Sequence, residues 1–106
     1  MSKYLIAGNY VGEGIKGLLK EGGSGRREAI EKLVKSVGGT VESIYYAFGE
    51  TDIFLIVDMP DNASMAALSL VANASGAVTA KTVVLMTPEE VDEATKKTVD
   101  YRPPGQ

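Results

Sequence analysis

Two strand-like segments of this chain, Asp52–Met59 and Val78–Thr87, are apolar on both of their alternating faces. In the first, Ile53, Leu55, Val57 and Met59 share one face, while Phe54 and Ile56 occupy the other. In the second, Val78, Ala80, Val84 and Met86 share one face, while Val83 and Leu85 occupy the other. Successive strand side chains point to opposite sides. A sheet built from these segments therefore has to be covered on both. No feature constrains the fold more, because 106 residues make one domain, 1–106, with few helices to do the covering.

The other elements follow from spacing and punctuation. Lys3–Tyr10 alternates, with Tyr4, Ile6, Gly8 and Tyr10 on one face and Leu5, Ala7 and Asn9 on the other. Val11–Lys20 has helical spacing at Val11, Ile15, Leu18 and Leu19, but Gly12, Gly14 and Gly17 weaken it by about 1 kcal/mol each. It reads as a short weak helix or turn, interrupted by Glu21-Gly22-Gly23. Arg26–Val37 is the clearest helix, with Ile30, Leu33, Val34 and Val37 on one side and Ser24 as the expected N-cap. Gly38-Gly39 supplies a left-handed exit. Thr40–Phe48 and Asp52–Met59 flank Gly49-Glu50-Thr51 and read as a hairpin. An Ala-rich helix follows Asp61 or Asn62 and runs to about Ser75, where Gly76 stops it. Thr87-Pro88-Glu89-Glu90 is a capping box opening a short helix to about Lys97, and an extended tail closes the chain.

The order strand, helix, strand, strand, helix, strand is the split βαβ, or ferredoxin-like, arrangement of the α+β class. Right-handed crossovers place both main helices on one face of a four-stranded antiparallel sheet. The terminal helix presents only Val91 and Ala94 and is too thin to cover the other face. The expectation is a homodimer, or a multiple of dimers, packed sheet to sheet as a dimeric α+β barrel. The alternative is that the terminal helix and tail fold back across the open face.

Composition narrows the chemistry. The chain has no Cys and no His, which excludes disulfides, thiol nucleophiles, Cys/His zinc sites, Ser-His-Asp triads and His-ligated haem. Eleven basic residues stand against fourteen acidic ones, and a net charge of −3 disfavours a nucleic-acid partner. No apolar run reaches the length of a membrane span, and Met1–Tyr10 lacks the features of a signal peptide. A cytoplasmic protein without membrane partner is the expectation.

Five residues are candidates for a ligand site. Tyr10, Tyr45 and Tyr46 are polar-tipped aromatics in strands, where the usual role is packing. Tyr45 and Tyr46 are adjacent and point to opposite faces, so one can line a cleft and the other a dimer core. Asn9 and Lys81 are polar residues in otherwise apolar strands that neighbour each other in this fold. A buried Lys81 would serve as a base or carbonyl trap, whereas a Lys at a sheet edge snorkels or pairs with an acid. Asp52 and Asp58 lie about 20 Å apart along one strand, too far to work as a pair. Asp52 is expected to bind turn amides. Gly12-x-Gly14-x-x-Gly17 matches a dinucleotide fingerprint in letters, but the parallel sheet and following acidic residue are missing, so no cofactor is expected. The same glycines read alternatively as a flexible flap over a cleft. Arg26 and Arg27 at a helix start read as a solvated pair.

Several stretches in order are similar to those of the GYD domain family. They are Tyr4-Leu5-Ile6, Asn9-Tyr10, Arg26-Arg27-Glu28-Ala29-Ile30-Glu31-Lys32-Leu33-Val34, and Gly38-Gly39 before Tyr45-Tyr46-Ala47-Phe48-Gly49. Asp52, Pro60-Asp61, Ser75-Gly76-Ala77-Val78, Lys81-Thr82, Thr87-Pro88-Glu89-Glu90 and Tyr101-Arg102-Pro103-Pro104 continue the likeness nearly to the end. The chain departs at the motif that names the family, where Gly49-Glu50-Thr51-Asp52 has Thr51 in the place of the aromatic. If that aromatic lines a ligand site, the site is altered here; if it shapes the hairpin, little changes. The resemblance implies a dimeric ferredoxin-like α+β barrel and brings no established activity or catalytic residue. Three functions stay open on the sequence: a protein binding a small apolar or aromatic ligand between helices and sheet, a cofactor-independent oxygenase or isomerase, and a structural oligomer subunit.

Overall fold

Strand β1 (Ser2–Tyr10) sorts its side chains by parity: Tyr4, Ile6, Gly8 and Tyr10 are buried and the residues between them are not. The computed structural model describes residues 1–106 and places β1 at the centre of an antiparallel sheet of order β2-β3-β1-β4. Its partners are β2 (Thr40–Tyr46), β3 (Ile53–Met59) and β4 (Val78–Leu85). Together with two crossover helices they form the expected ferredoxin-like α+β fold.

The buried parity of β1 meets that of β3. Tyr4 lies opposite Val57 and Ile6 opposite Leu55, and these pairs form the core with Val34, Met59, Met65 and Leu68. Val57 and Met59 are completely buried. The Tyr4 hydroxyl donates to the Asn62 carboxamide oxygen, which satisfies the one polar tip in the centre.

Helix α1 (Glu13–Ser36) is two helical segments joined across a kink, and the interruption expected at Glu21-Gly22-Gly23 falls at Gly22, whose φ of 75° and ψ of 171° are not helical. The first segment is helical despite its glycines, and Gly12 stands at its N-cap with no side-chain bond. Ser24, the expected cap of the second segment, already lies within that segment's first turn. The early glycines persist because one of them is a packing requirement. A Cβ on Gly14 would overlap the Ala77 carbonyl, while the Val11 amide donates to that same oxygen at 2.9 Å. Gly14 is thus the seat of α1 against the α2–β4 turn, which ties this end of the run down rather than leaving it a flap. Gly38, with φ of 83°, provides the left-handed exit.

The hairpin is present, with a bulge between Val41 and Ser43. β2 stops at Tyr46, two residues short of expectation, because the Ala47 amide already closes the loop on the Asp52 carbonyl at 2.7 Å.

Helix α2 (Asn62–Ala74) starts at Asp61, whose Oδ1 accepts from the Ser64 amide at 2.7 Å. That backbone hydrogen bond, reinforced by the Ser64 side chain, holds the Asp61 carboxyl below its ordinary value of 3.8. A depressed folded value contributes stability that is present above the unfolded value and is lost as pH falls through the folded one. Wild-type melting temperature is therefore expected to fall faster than that of Asp61→Asn below pH ~4, since Asn keeps an acceptor but does not titrate. A constant gap between the two in scans from pH 6 to 2.5 refutes the cap linkage.

Helix α3 (Pro88–Thr95) has the predicted capping box: Glu90 N donates to Thr87 Oγ1 and Thr87 N to Glu90 Oε1, both at 3.1 Å. It does not pack on the sheet, and every residue from 88 to 106 is exposed. The alternative in which the terminal helix folds back over its own sheet is not what the chain does. The open face keeps Leu5, Phe54, Ile56 and Val83 uncovered by any helix. At its far end Lys3 pairs with Glu42 and, at 3.0 Å, with Asp58; these hydrogen bonds, Glu42 first, raise the Lys3 ammonium above its ordinary range. No helix is long and apolar enough to cross a membrane.

Candidate functional site: a cleft between sheet and helices

The helix face of the sheet and the inner sides of α1 and α2 do not meet everywhere. Between them lies a cleft of about 100 Å³ lined by fourteen residues, eleven of them hydrophobic. Ile6 and Leu55 form the sheet wall, Ile30 and Leu33 the α1 wall, and Leu68 and Ala72 the α2 wall. Ala80 and Gly8, opposed across β4 and β1, keep the floor low. A single charged residue, Arg26, lines the cleft, and Tyr10 stands beside it.

The break in α1 lies beside the Arg26 end of the cleft. The Tyr46 ring lies against Gly23, where a Cβ would come within 3.3 Å of it, and its hydroxyl donates to the Gly23 carbonyl oxygen at 2.9 Å. Arg26 reaches back to Glu21 at 3.4 Å across the same break. Burial, above all, raises the Tyr10 phenol; the neighbouring Tyr46 and Glu21 push the same way, and Arg26 opposes them. Burial likewise raises Tyr46, against Arg26 and Arg27. Both phenols therefore stay protonated at neutral pH and act as hydrogen-bond donors.

The five sequence candidates separate onto two faces. Tyr10 lies in the cleft, its backbone amide held by Asp52 Oδ2 at 3.0 Å. Asn9 reaches the rim, where its Oδ1 accepts from the Asp52 amide at 3.1 Å. Asp52 and Asn9 thus lock the end of β1 to the start of β3; the amide that the Asp52 carboxylate holds is that of strand residue Tyr10, not the turn amide expected of it. Tyr46 is on the helix side, and Tyr45 is on the open face opposite Phe54. Lys81 is also on the open face, paired with Ala7 and exposed. It stands diagonally from Asn9 as expected, but it is not buried, so the reading as a desolvated base does not apply.

Arg26, expected as half of a solvated pair, lines the cleft instead. It is four residues before Ile30 and eight before Val34, on the same inward face of the second helical segment. That spacing is the signal that places it. No cluster of three or more acidic side chains is placed to hold a metal ion.

The model of the GYD domain matches residues 4–95. The chain belongs to the GYD domain family. No curated protein and no solved structure matches it significantly. Thr51, which replaces the aromatic of the GYD motif, sits in the β2–β3 loop and does not line the cleft.

Proposed function

We propose that this GYD domain protein is a homodimer, or a multiple of dimers, that binds a small apolar or aromatic molecule in the cleft between helices and sheet. One observation carries the ligand reading: an apolar cleft whose only polar side chains converge at its mouth, as binding sites do. Drug-sized ligands occupy about 300–1,000 Å³, while cavities near 150 Å³ take a benzene. The volume of about 100 Å³ falls short of that, so a ring is admitted as α1 yields at Gly22. Arg26 offers its guanidinium face to a ring, and the Tyr10 phenol offers a donor to an acceptor on it. The uncovered apolar sheet face supports the dimer. The setting in this reading is the cytoplasm, which a chain without Cys permits.

Binding is favoured over a cofactor-independent oxygenase or isomerase by the lining. Such an enzyme needs a base beside its substrate, whereas Arg26 is the one charged residue of the cleft walls and Lys81 is on the opposite face. A titration of the ¹⁵N-labelled protein with indole checks the reading. Saturable shifts are expected at Tyr10, Ile30 and Ala80, and Ala80→Leu is expected to weaken them roughly 10-fold by filling the floor. Shifts confined to the open face, or none at the solubility limit of indole, overturn it.

A further inference from the structure

We infer that the C-terminal arm, Thr87–Gln106, packs on a second copy of the chain; the inference rests on the dimer reading above and adds the element that completes the interface. The arm is unsupported within its own subunit. All of its residues from Pro88 onward are exposed, and Val91, Val99 and Tyr101 are 48%, 76% and 70% exposed to water. Its helix has eight residues, and helices shorter than about 12 residues are marginal in water without a surface to pack on. A capping box satisfies one end of α3 but supplies no such surface.

Shape and area lead to the same place. The radius of gyration is 16.9 Å, against about 13 Å for a compact domain of this length. The chain measures 56 × 32 × 22 Å. Its accessible surface is 7575 Å², whereas a folded monomer of 11.2 kDa exposes about 5,700 Å². The excess of roughly 1,900 Å² is close to what each partner gives to an obligate dimer.

A second copy is the occupant that meets both needs at once. Each chain has an apolar open face at Leu5, Phe54, Ile56 and Val83 that its own arm does not cover. Each also has an arm whose apolar side chains cover nothing. A two-fold axis lets each supply what the other lacks and closes the assembly. Charge agrees: α3 carries Glu89, Glu90, Asp92 and Glu93, and Lys81 stands exposed on the open face without an acidic partner in its own chain.

The test uses the full chain. Native mass spectrometry gives the subunit count, and isotope-filtered NOE spectra of a mixture of labelled and unlabelled protein show which copy the arm touches. The expected result is a dimer, or a multiple of it, with intersubunit NOEs from Val99 and Tyr101 to open-face side chains such as Tyr45, Phe54 or Val83. A dimer whose arm gives only intrasubunit NOEs, or no tertiary NOEs, overturns the arm exchange and leaves the dimer standing. A monomer overturns both. The double variant Val99→Asp, Tyr101→Asp lies outside every helix and strand, so the fold is not at risk. Its dimer dissociation constant is expected to rise at least ~10-fold, and an unchanged constant rejects the arm as an interface element.

Discussion

Gly39→Val is expected to lower the melting temperature by roughly 12–24 °C, through a loss of about 3 kcal/mol. Gly39 is buried where the end of α1 turns into β2. A side chain there would strike the Met59 sulfur, approach the Asp58 carbonyl oxygen at 2.8 Å and meet Val34 Cγ1 at 3.0 Å. Met59 and Val34 are at 0% and 1% exposure, so neither can move aside, and the Asp58 carbonyl is backbone within β3. Gly38→Ala is the control. Its Cβ would meet only Pro60 Cγ at an ordinary 3.5 Å, so the cost is that of a left-handed φ of 83°, about 1–2 kcal/mol. Two adjacent glycines are thus needed for different reasons, one for its backbone and one for its emptiness. Thermal unfolding of both variants tests this. Equal losses, or a larger loss at Gly38, defeat the packing argument.

The sheet was legible because strand parity survives in the letters. Tyr4, Ile6 and Tyr10, and Ile53, Leu55, Val57 and Met59, are the buried faces that alternation marks. The order of elements then admits few topologies, and the family match over 4–95 is consistent with the one found. The first half of α1 was legible only as a short weak helix or turn, although its break was marked by Glu21-Gly22-Gly23. Three glycines in Val11–Lys20 lower local propensity, and nothing local reports that Gly14 is held against the Ala77 carbonyl, sixty-three residues away. Tertiary packing sets the helix there, and propensity does not.

The site was legible in part. Alternation showed that Tyr45 and Tyr46 diverge but not which one turns inward, because that depends on the register of β2 on β3 and on the bulge after Val41. Tyr10 ends a buried parity and was found. Lys81 follows the other parity, through Ala7, to the open face. Arg26 reads as solvated because it stands in the first turn after the break at Gly22, whereas its spacing to Ile30 and Val34 turns it inward.

Ile56→Asp is expected to raise the dimer dissociation constant by about 1,000-fold and to give a folded monomer at micromolar concentration. Ile56 is central on the open face, opposite Leu5 on β1 and Ser43 on β2. The two-fold axis of the proposed dimer doubles the change, so two carboxylates lose water at the centre of an apolar face. Lys3, the nearest basic residue in register, is already engaged by Glu42 and Asp58. The fold itself is not attacked, because Leu55 and Val57 on either side of Ile56 point into the core and remain apolar. Retained methyl shifts of Val57 and Met59 verify that. Sedimentation velocity across a concentration series reads the outcome, and an Ile56→Asp protein that stays dimeric removes the open face from the interface. The same variant separates assembly from binding. The cleft walls belong to one subunit and to the opposite parity, so indole shifts at Tyr10 and Ile30 should persist in the monomer. Their loss together with the dimer would mean that the partner holds α1 in the position that keeps the cleft open.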